Sequence, residues 1–412
     1  MNTKAKKAAI GACIALFANM GMNSTFTIFL SSFVTTWPES SIATIALAAT
    51  FGCAMAFIWS TFLVGPMLKK VAPRTLFLVC AILSAGYCLI HYFSSAVWML
   101  IVAGLLGGST LGLGTHAMGV AAVSPYFGDY GKKTPTIIAV VLASAALGAA
   151  AFSFIPGALI PVMGWRNVYL VMGVVIVLCN LVAYALIPKT EMPKADGAAA
   201  AAAAGNTEDV PGLTLGQALK TPAFWFVFLG ILFLTIMYQG LCTYMVTYLV
   251  NCGMSQSVAS SMQGIMQLVG IVFILVGGAL VNKIGIKGLI LFTGVPLAAG
   301  CLLYAFVFPT HVTVVMAIIC SVLCVSGGVI TNICPTITPI LFGNKNLNQI
   351  NPIFSGGAFW GGAALASQVV GRVITGTGSF ANGFTVAAVI GAVGMVVLFL
   401  ALAVNPMKKL GK

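Results

Sequence analysis

Twelve times along this chain a predominantly apolar stretch of about 20 residues or more recurs. The stretches fall at 8–34, 41–67, 75–93, 96–123, 136–160, 167–187, 223–249, 256–281, 288–308, 312–340, 350–374 and 383–404. A helix needs that length to cross a hydrocarbon layer about 30 Å thick. Lipid offers no partner to an open backbone group, so a crossing segment must be a helix or part of a closed barrel. These runs are continuous rather than alternating, which selects helices. Charged residues are 6% of the 412, against about 25% in soluble domains. That composition excludes an ordinary soluble enzyme, a disordered chain and a nucleic-acid binder. The net charge of +13 sits in short patches between apolar runs. The expected fold class is an all-α membrane protein with twelve transmembrane helices, embedded in the lipid bilayer.

The charges order the spans. With the first residues inside, the inner segments hold Lys4, Lys6, Lys7, Lys69, Lys70, Arg74, Lys132, Lys133, Lys189, Lys194, Lys220, Lys283, Lys287, Lys345, Lys408, Lys409 and Lys412. The outer loops hold only Arg166, and Arg372 lies within or at the end of span 11. This bias predicts that both termini are cytoplasmic, and the cell (cytoplasmic, inner) membrane is the expected location. The start, Met1 to Lys7 followed by an apolar run, has the look of a secretory leader. The run continues to about Val34, beyond a leader's apolar core of roughly 7–15 residues, so a retained first helix is expected.

The eleven cysteines are scattered within apolar runs, with no CxxC and no Cys/His spacing for zinc. Cys320 and Cys324 share a helix face as small apolar filler. No metal or cofactor is expected.

The chain repeats itself. Gly65-Pro-Met-Leu-Lys-Lys-Val-Ala-Pro-Arg74 follows span 2, and Gly278-Ala-Leu-Val-Asn-Lys-Ile-Gly-Ile-Lys287 follows span 8, with Lys70 and Lys283 213 residues apart. Phe127-Gly128 echoes Phe342-Gly343, and Gly157 and Gly164 echo Gly371 and Gly378, at nearly the same offset. Two six-helix halves are expected, 1–187 and 223–412, pseudo-symmetric as parallel repeats with a substrate site between them. Segment 188–222 holds an alanine run and four of the six acidic residues, Glu191, Asp196, Glu208 and Asp209. It is expected to be a cytoplasmic linker without a fold of its own until about Leu213.

On these residues the sequence resembles the major facilitator superfamily. The segments after spans 2 and 8 are similar to its G-x-x-x-D-[RK]-x-G-x-[RK] signature, and Gly164-Trp165-Arg166 is similar to another family segment. Within the superfamily, the sequence most resembles the oxalate/formate antiporter and monocarboxylate transporter branch. The matching segments are Thr214-Leu-Gly-Gln-Ala-Leu-Lys-Thr-Pro-Ala-Phe-Trp225, Phe342-Gly-Asn-Lys-Asn-Leu347, and Gly371 through Thr377-Gly-Ser-Phe380. The resemblance implies a transporter working by alternating access. Two departures stand out. The signature's acidic position is Lys69 in one half and Asn282 in the other, and span 8 lacks the arginine of monocarboxylate relatives, being uncharged from Met254 to Asn282.

Polar side chains within a span are costly unless they face protein or water. Span 1 carries Asn19, Asn23, Thr27 and Ser31, and span 7 carries Thr235, Gln239, Thr243 and Thr247. Both rows keep i, i+4 spacing and so lie on one helix face. The rows are 216 residues apart, which suits helices lining a shared cavity; interhelical hydrogen bonding is the alternative. Ser260, Gln263 and Gln267 form a third row in span 8. His116 in span 4 and Asn332 in span 10 are also 216 apart, and His116 is the histidine placed deep within a span, with His91 and His311 near outer loops. Tyr238, Tyr244 and Trp360 offer stacking or hydroxyl contacts. Arg372, the sole arginine within an apolar helix, could pair with a carboxylate or snorkel to the interface. The expected substrate-binding set is Arg372, His116, Asn19, Asn23, Thr27, Gln239, Thr243, Gln263, Gln267, Asn332, Tyr238 and Trp360. Gly108xxxGly112 and Gly357xxxGly361 are expected to serve packing, and Pro156, Pro161, Pro335 and Pro339 to kink spans 5 and 10.

All six acidic residues lie outside the spans, so exchange or facilitated passage of small organic anions, mono- or dicarboxylates, fits better than coupling through a buried carboxylate. Any proton coupling would fall to His116. The alternative is export of neutral or drug-like molecules, which the 18 Met and 26 Phe and the uncharged span 8 would suit. An enzyme would need a nucleophile–base pair or a metal cluster in the spans, and none is found. The chain is expected to act as a monomer, with no nucleic-acid partner.

Overall fold

A computed structural model of the protein describes residues 2–188 and 212–407, except Ser24, Lys69 and Thr115. The expected linker therefore lies largely outside the described residues. Eleven helices among them are long and apolar enough to cross a membrane. In chain order they are span 1 (Thr3–Thr36), span 2 (Ile42–Leu63), span 3 (Pro73–Phe93), span 5 (Thr136–Met163), span 6 (Trp165–Leu186), span 7 (Pro222–Asn251), span 8 (Gln256–Val281), span 9 (Lys283–Thr310), span 10 (Val314–Phe342), span 11 (Gln349–Thr377) and span 12 (Phe380–Ala403). Span 4 is a pair, Val97–Leu113 and Met118–Tyr126, bent by 44°. The fold is all-α, and these elements account for the twelve apolar segments. Large exposed apolar side chains such as Ile82, Phe93 and Leu275 would be a liability in water. On membrane spans they are the surface offered to lipid.

Span 4, expected to be continuous, is bent. Span 1 is helical over Thr3–Asn23 and again over Phe26–Thr36. Span 4 stops at Gly114 before its second piece. The end of span 2, Trp59–Leu63, widens into a π-turn. Near the start of span 9 the chain turns at Gly285, with φ +67°. A residue without Cβ tolerates that conformation, which is why the basic segment there is so short.

By contacts the chain forms two compact units, Met1–Ala199 with Met245–Leu268, and Ala200–Tyr244 with Val269–Lys412. Residues 245–268, which the sequence groups with the second half, pack within the first unit. Lipid is as apolar as leucine, so helices are held together by close packing and hydrogen bonds more than by the hydrophobic effect. In the first unit the stripe Ala5, Ala8, Ala12 and Ala15 is fully buried with Leu16, Phe77 and Leu113 in one core cluster. Span 1 is thus part of the bundle core. Gly21 leaves room for span 5, since a Cβ there would stand 2.9 Å from the Gly148 carbonyl oxygen. Gly108 and Gly112 both carry close packing as expected: side chains there would overlap Gly52 and Trp59 of span 2.

In the second unit the packing glycine of span 11 is Gly362. A Cβ there would lie 2.7 Å from the Leu232 carbonyl oxygen and 2.8 Å from Thr235 Cβ, whereas Gly361 faces open space. The Gly361 half of the expected Gly357xxxGly361 pair is therefore corrected to Gly362. Leu213 donates its N–H to the Phe342 carbonyl at 2.8 Å. Phe224 packs on Phe342 and Phe354, with centroids 6.2 and 5.0 Å away. Thr214 and Gln217 form a reciprocal capping box that starts the helix Leu215–Leu219.

Candidate functional site

The polar row of span 1 does not face a single neighbour: Asn19 meets span 6 and Ser31 meets span 8. Asn19 is fully buried. Its amide exchanges hydrogen bonds with Asn180 of span 6, at 3.1 and 3.0 Å. Asn180 donates again to the Ile176 carbonyl at 3.0 Å. Asn19 therefore takes the interhelical alternative. Gly114, where span 4 breaks, sits directly on it; a Cβ there would be 2.6 Å from Asn19 Cβ. A discontinuous helix frees backbone groups at membrane depth, a recurrent feature of transporter sites. Thr27 is half-buried. The side chains of Asn23 and His116 lie outside the described structure.

Ser31, at the far end of the row, donates to Gln256 Oε1 of span 8 at 2.8 Å. Gln256 Nε2 donates to the Ile28 carbonyl at 2.7 Å. Ser257 donates to the Gly157 carbonyl of span 5 at 3.0 Å, and Ser260 packs on Gly157, where a Cβ would approach Ser260 Oγ to 2.6 Å. The start of span 8 is thus pinned to spans 1 and 5 by neutral hydrogen bonds. Along the same span, Gln263 is 3% exposed and its Oε1 has no hydrogen-bond partner. Thr247 of span 7 is likewise buried with an unpartnered hydroxyl. Gln267 is half-buried. These groups belong to the first unit.

The second unit gathers the other expected residues. Thr235 and Thr243 turn their hydroxyls onto their own helix, donating to the Ile231 and Gln239 carbonyls at 2.8 and 2.7 Å. Gln239 and Tyr238 are half-buried, and Tyr238 lies against Gly327 of span 10. Tyr244 donates to the Ser367 carbonyl, joining spans 7 and 11. Asn332 donates to the Ile274 carbonyl of span 8 at 2.7 Å. Trp360 is half-buried, edge-on to Phe359 at 5.4 Å. Arg372 is exposed, five residues before the end of its helix at Thr377.

Several groups that matter were not singled out from sequence. Asn180 holds Asn19 and Gln256 holds Ser31; Asn180 was one polar residue in an otherwise apolar stretch, and Gln256 one of several in a serine-rich one. His91 does lie near a loop, two residues before its helix ends at Phe93, yet it is 1% exposed and stacked on Tyr169 at 4.2 Å. Its i, i+4 partner Tyr87 is the sequence signal that could have placed it. Among the described residues no group of three or more His, Cys, Asp or Glu could hold a metal.

The fold has close relatives in shape. A bacterial homologue of the human lysosomal transporter Spinster, inward-facing and unoccupied, superposes with TM-score 0.74 at 13% identity, over 98% of each chain. The nucleoside transporter NupG gives 0.75 at 14%, over 98% of this chain and 100% of that one. At these identities the likeness is one of fold. No curated protein sequence matches the chain. A sequence model of the Major Facilitator Superfamily matches residues 12–366. A match over most of the chain, on a fold of twelve apolar helices, makes this protein a member of the Major Facilitator Superfamily, a membrane transporter.

Proposed function

We propose that the protein is a secondary transporter of small organic anions, mono- or dicarboxylates, that exchanges them or passes them down their gradient by alternating access. Its working parts are the six-helix halves 1–187 and 223–412, joined by a cytoplasmic linker at 188–222, in a monomer in the cytoplasmic membrane with both termini inside. Arg372 carries the reading. It is an exposed guanidinium in a span with no other charged residue, and all six acidic residues lie outside the spans. A guanidinium in such surroundings favours a ligand that brings the carboxylate, held by two parallel hydrogen bonds. Short-range polar contacts come from Gln239 and Tyr238, which are half-buried in the same unit. The motif segments resembling the oxalate/formate and monocarboxylate branch support the same substrate class.

The test is uptake of radiolabelled formate and oxalate into proteoliposomes. Uptake is expected in the native protein and is expected to fall at least tenfold in Arg372→Gln. Arg372→Lys keeps the charge but loses the fork, and should recover only part of it. Native-level uptake by Arg372→Gln, or no carboxylate uptake by the native protein, overturns the reading.

A further inference from the structure

Near the end of span 3, the ring of His91 is enclosed within the first unit. Its Nδ1 lies 2.9 Å from the Tyr87 carbonyl oxygen. A carbonyl only accepts, so Nδ1 carries the hydrogen, and in the neutral ring Nε2 carries a lone pair. That Nε2 is buried with no hydrogen-bond partner. A buried acceptor left unsatisfied bears its whole desolvation cost, and such a group retained in a membrane bundle points to a use.

Burying a charge on this ring is costly, and the aromatic rings around it offset part of that cost. The Tyr169 ring is parallel to it at 4.2 Å and 10°. Tyr87 lies at 4.4 Å and Phe33 at 5.8 Å. The π-faces of these rings stabilise a positive charge. The titratable neighbours are Tyr87 and Cys88 on its own helix and Tyr169 on span 6; Phe33 and Trp37 of span 1 carry no ionisable group, and neither does Val97–Leu113 of span 4. The charged neighbour is Arg166. It donates to the Ser94 carbonyl at 2.9 Å and lies 4.3 Å over the Trp165 ring, while the Ser94 hydroxyl donates to the His91 carbonyl at 2.7 Å. Arg166 opposes a second positive charge, so the rings and the arginine set the balance between them.

We propose that Nε2 of His91 is a proton-binding site within the bundle, and that its occupancy bears on Thr25, which precedes the helix Phe26–Thr36 of span 1. The link is short. The Tyr87 hydroxyl is 3.4 Å from that of Tyr169 and 3.5 Å from Thr25 Oγ1. Thr25 caps the start of the helix Phe26–Thr36 and donates to the Met22 carbonyl at 2.7 Å. An imidazolium that draws the two tyrosine rings toward it moves the hydroxyl resting on Thr25. With every acidic residue outside the spans, this site gives the transporter an input from pH that no buried carboxylate supplies, whatever its substrate.

The chain has three histidines, so H116Q and H311Q together leave His91 alone. Nitrogen-15 NMR of the full chain, labelled at histidine, reads the ring directly. At neutral pH Nδ1 should be protonated and Nε2 bare. On acidification Nε2 should gain its proton in one reversible step, and R166Q should move that step to higher pH. Hydrogen exchange over residues 20–30 should match between the native chain and H91F above that midpoint and diverge below it. An Nε2–H tautomer at neutral pH overturns the proposal. So does an Nε2 that stays bare at every pH at which the protein remains folded, a midpoint that R166Q leaves in place, or exchange that never diverges.

Discussion

Asn19 and Asn180 satisfy each other's amides with two hydrogen bonds, at 3.1 and 3.0 Å, between the first and sixth spans. Both side chains are fully buried, so each is the other's substitute for water. Replacing one with Leu strands the remaining amide and should lower stability by about 1–3 kcal/mol. Replacing both removes the need along with the supply. Asn19→Leu/Asn180→Leu should therefore be less destabilised than the two single changes added together, by about 1 kcal/mol. Thermal unfolding of the four proteins in one detergent measures it. Strict additivity would mean the two amides do not depend on each other.

The approach of spans 2 and 4 predicts a different sensitivity. A Cβ on Gly108 overlaps the backbone of Gly52, and one on Gly148 overlaps the backbone of Phe17. Backbone cannot rotate aside, so the helices must separate. Gly108→Ala and Gly148→Ala should each cost about 1–3 kcal/mol. Gly128→Ala, where nothing lies within 4 Å, should leave the melting temperature unchanged or slightly raised. Equal melting temperatures for all three variants would show that the glycines are not packing contacts.

How much of this was legible beforehand depended on the range of the signal. Each apolar stretch reports its own crossing, and the twelve segments match the spans to within a few residues. The family signature was likewise local. Partnership was not. Asn19 reads the same whether it lines a cavity or pairs with Asn180, 161 positions away, because helix period tells which face a residue takes and not what that face meets. The bend of span 4 was missed for a related reason: lipid-buried helices tolerate glycine, so Gly114 did not mark it. His91 was placed by its distance from a loop, whereas its burial comes from aromatic rings contributed by spans 1 and 6.

The pin at the start of span 8 gives a pH-dependent prediction. Gln256 uses both halves of its amide, accepting from Ser31 at 2.8 Å and donating to the Ile28 carbonyl at 2.7 Å. In Gln256→Glu the acceptor half survives, but the donor half depends on a proton. When the carboxyl is protonated its O–H can donate to Ile28, and the native bond is remade. When it is ionised, an anionic oxygen faces a carbonyl oxygen and both are left without a hydrogen. The folded state thus binds the proton more tightly than the unfolded chain does, so stability is present in acid and lost as pH rises through the titration of that carboxyl. The melting temperature of Gln256→Glu should approach that of the native protein at low pH and fall below it by the equivalent of about 1–3 kcal/mol at neutral pH. Ser31→Ala, which removes a donor that does not titrate, should show a smaller deficit that is flat with pH. If Gln256→Glu tracks the native protein at every pH, or weakens on acidification, Gln256 does not hold span 8 to span 1.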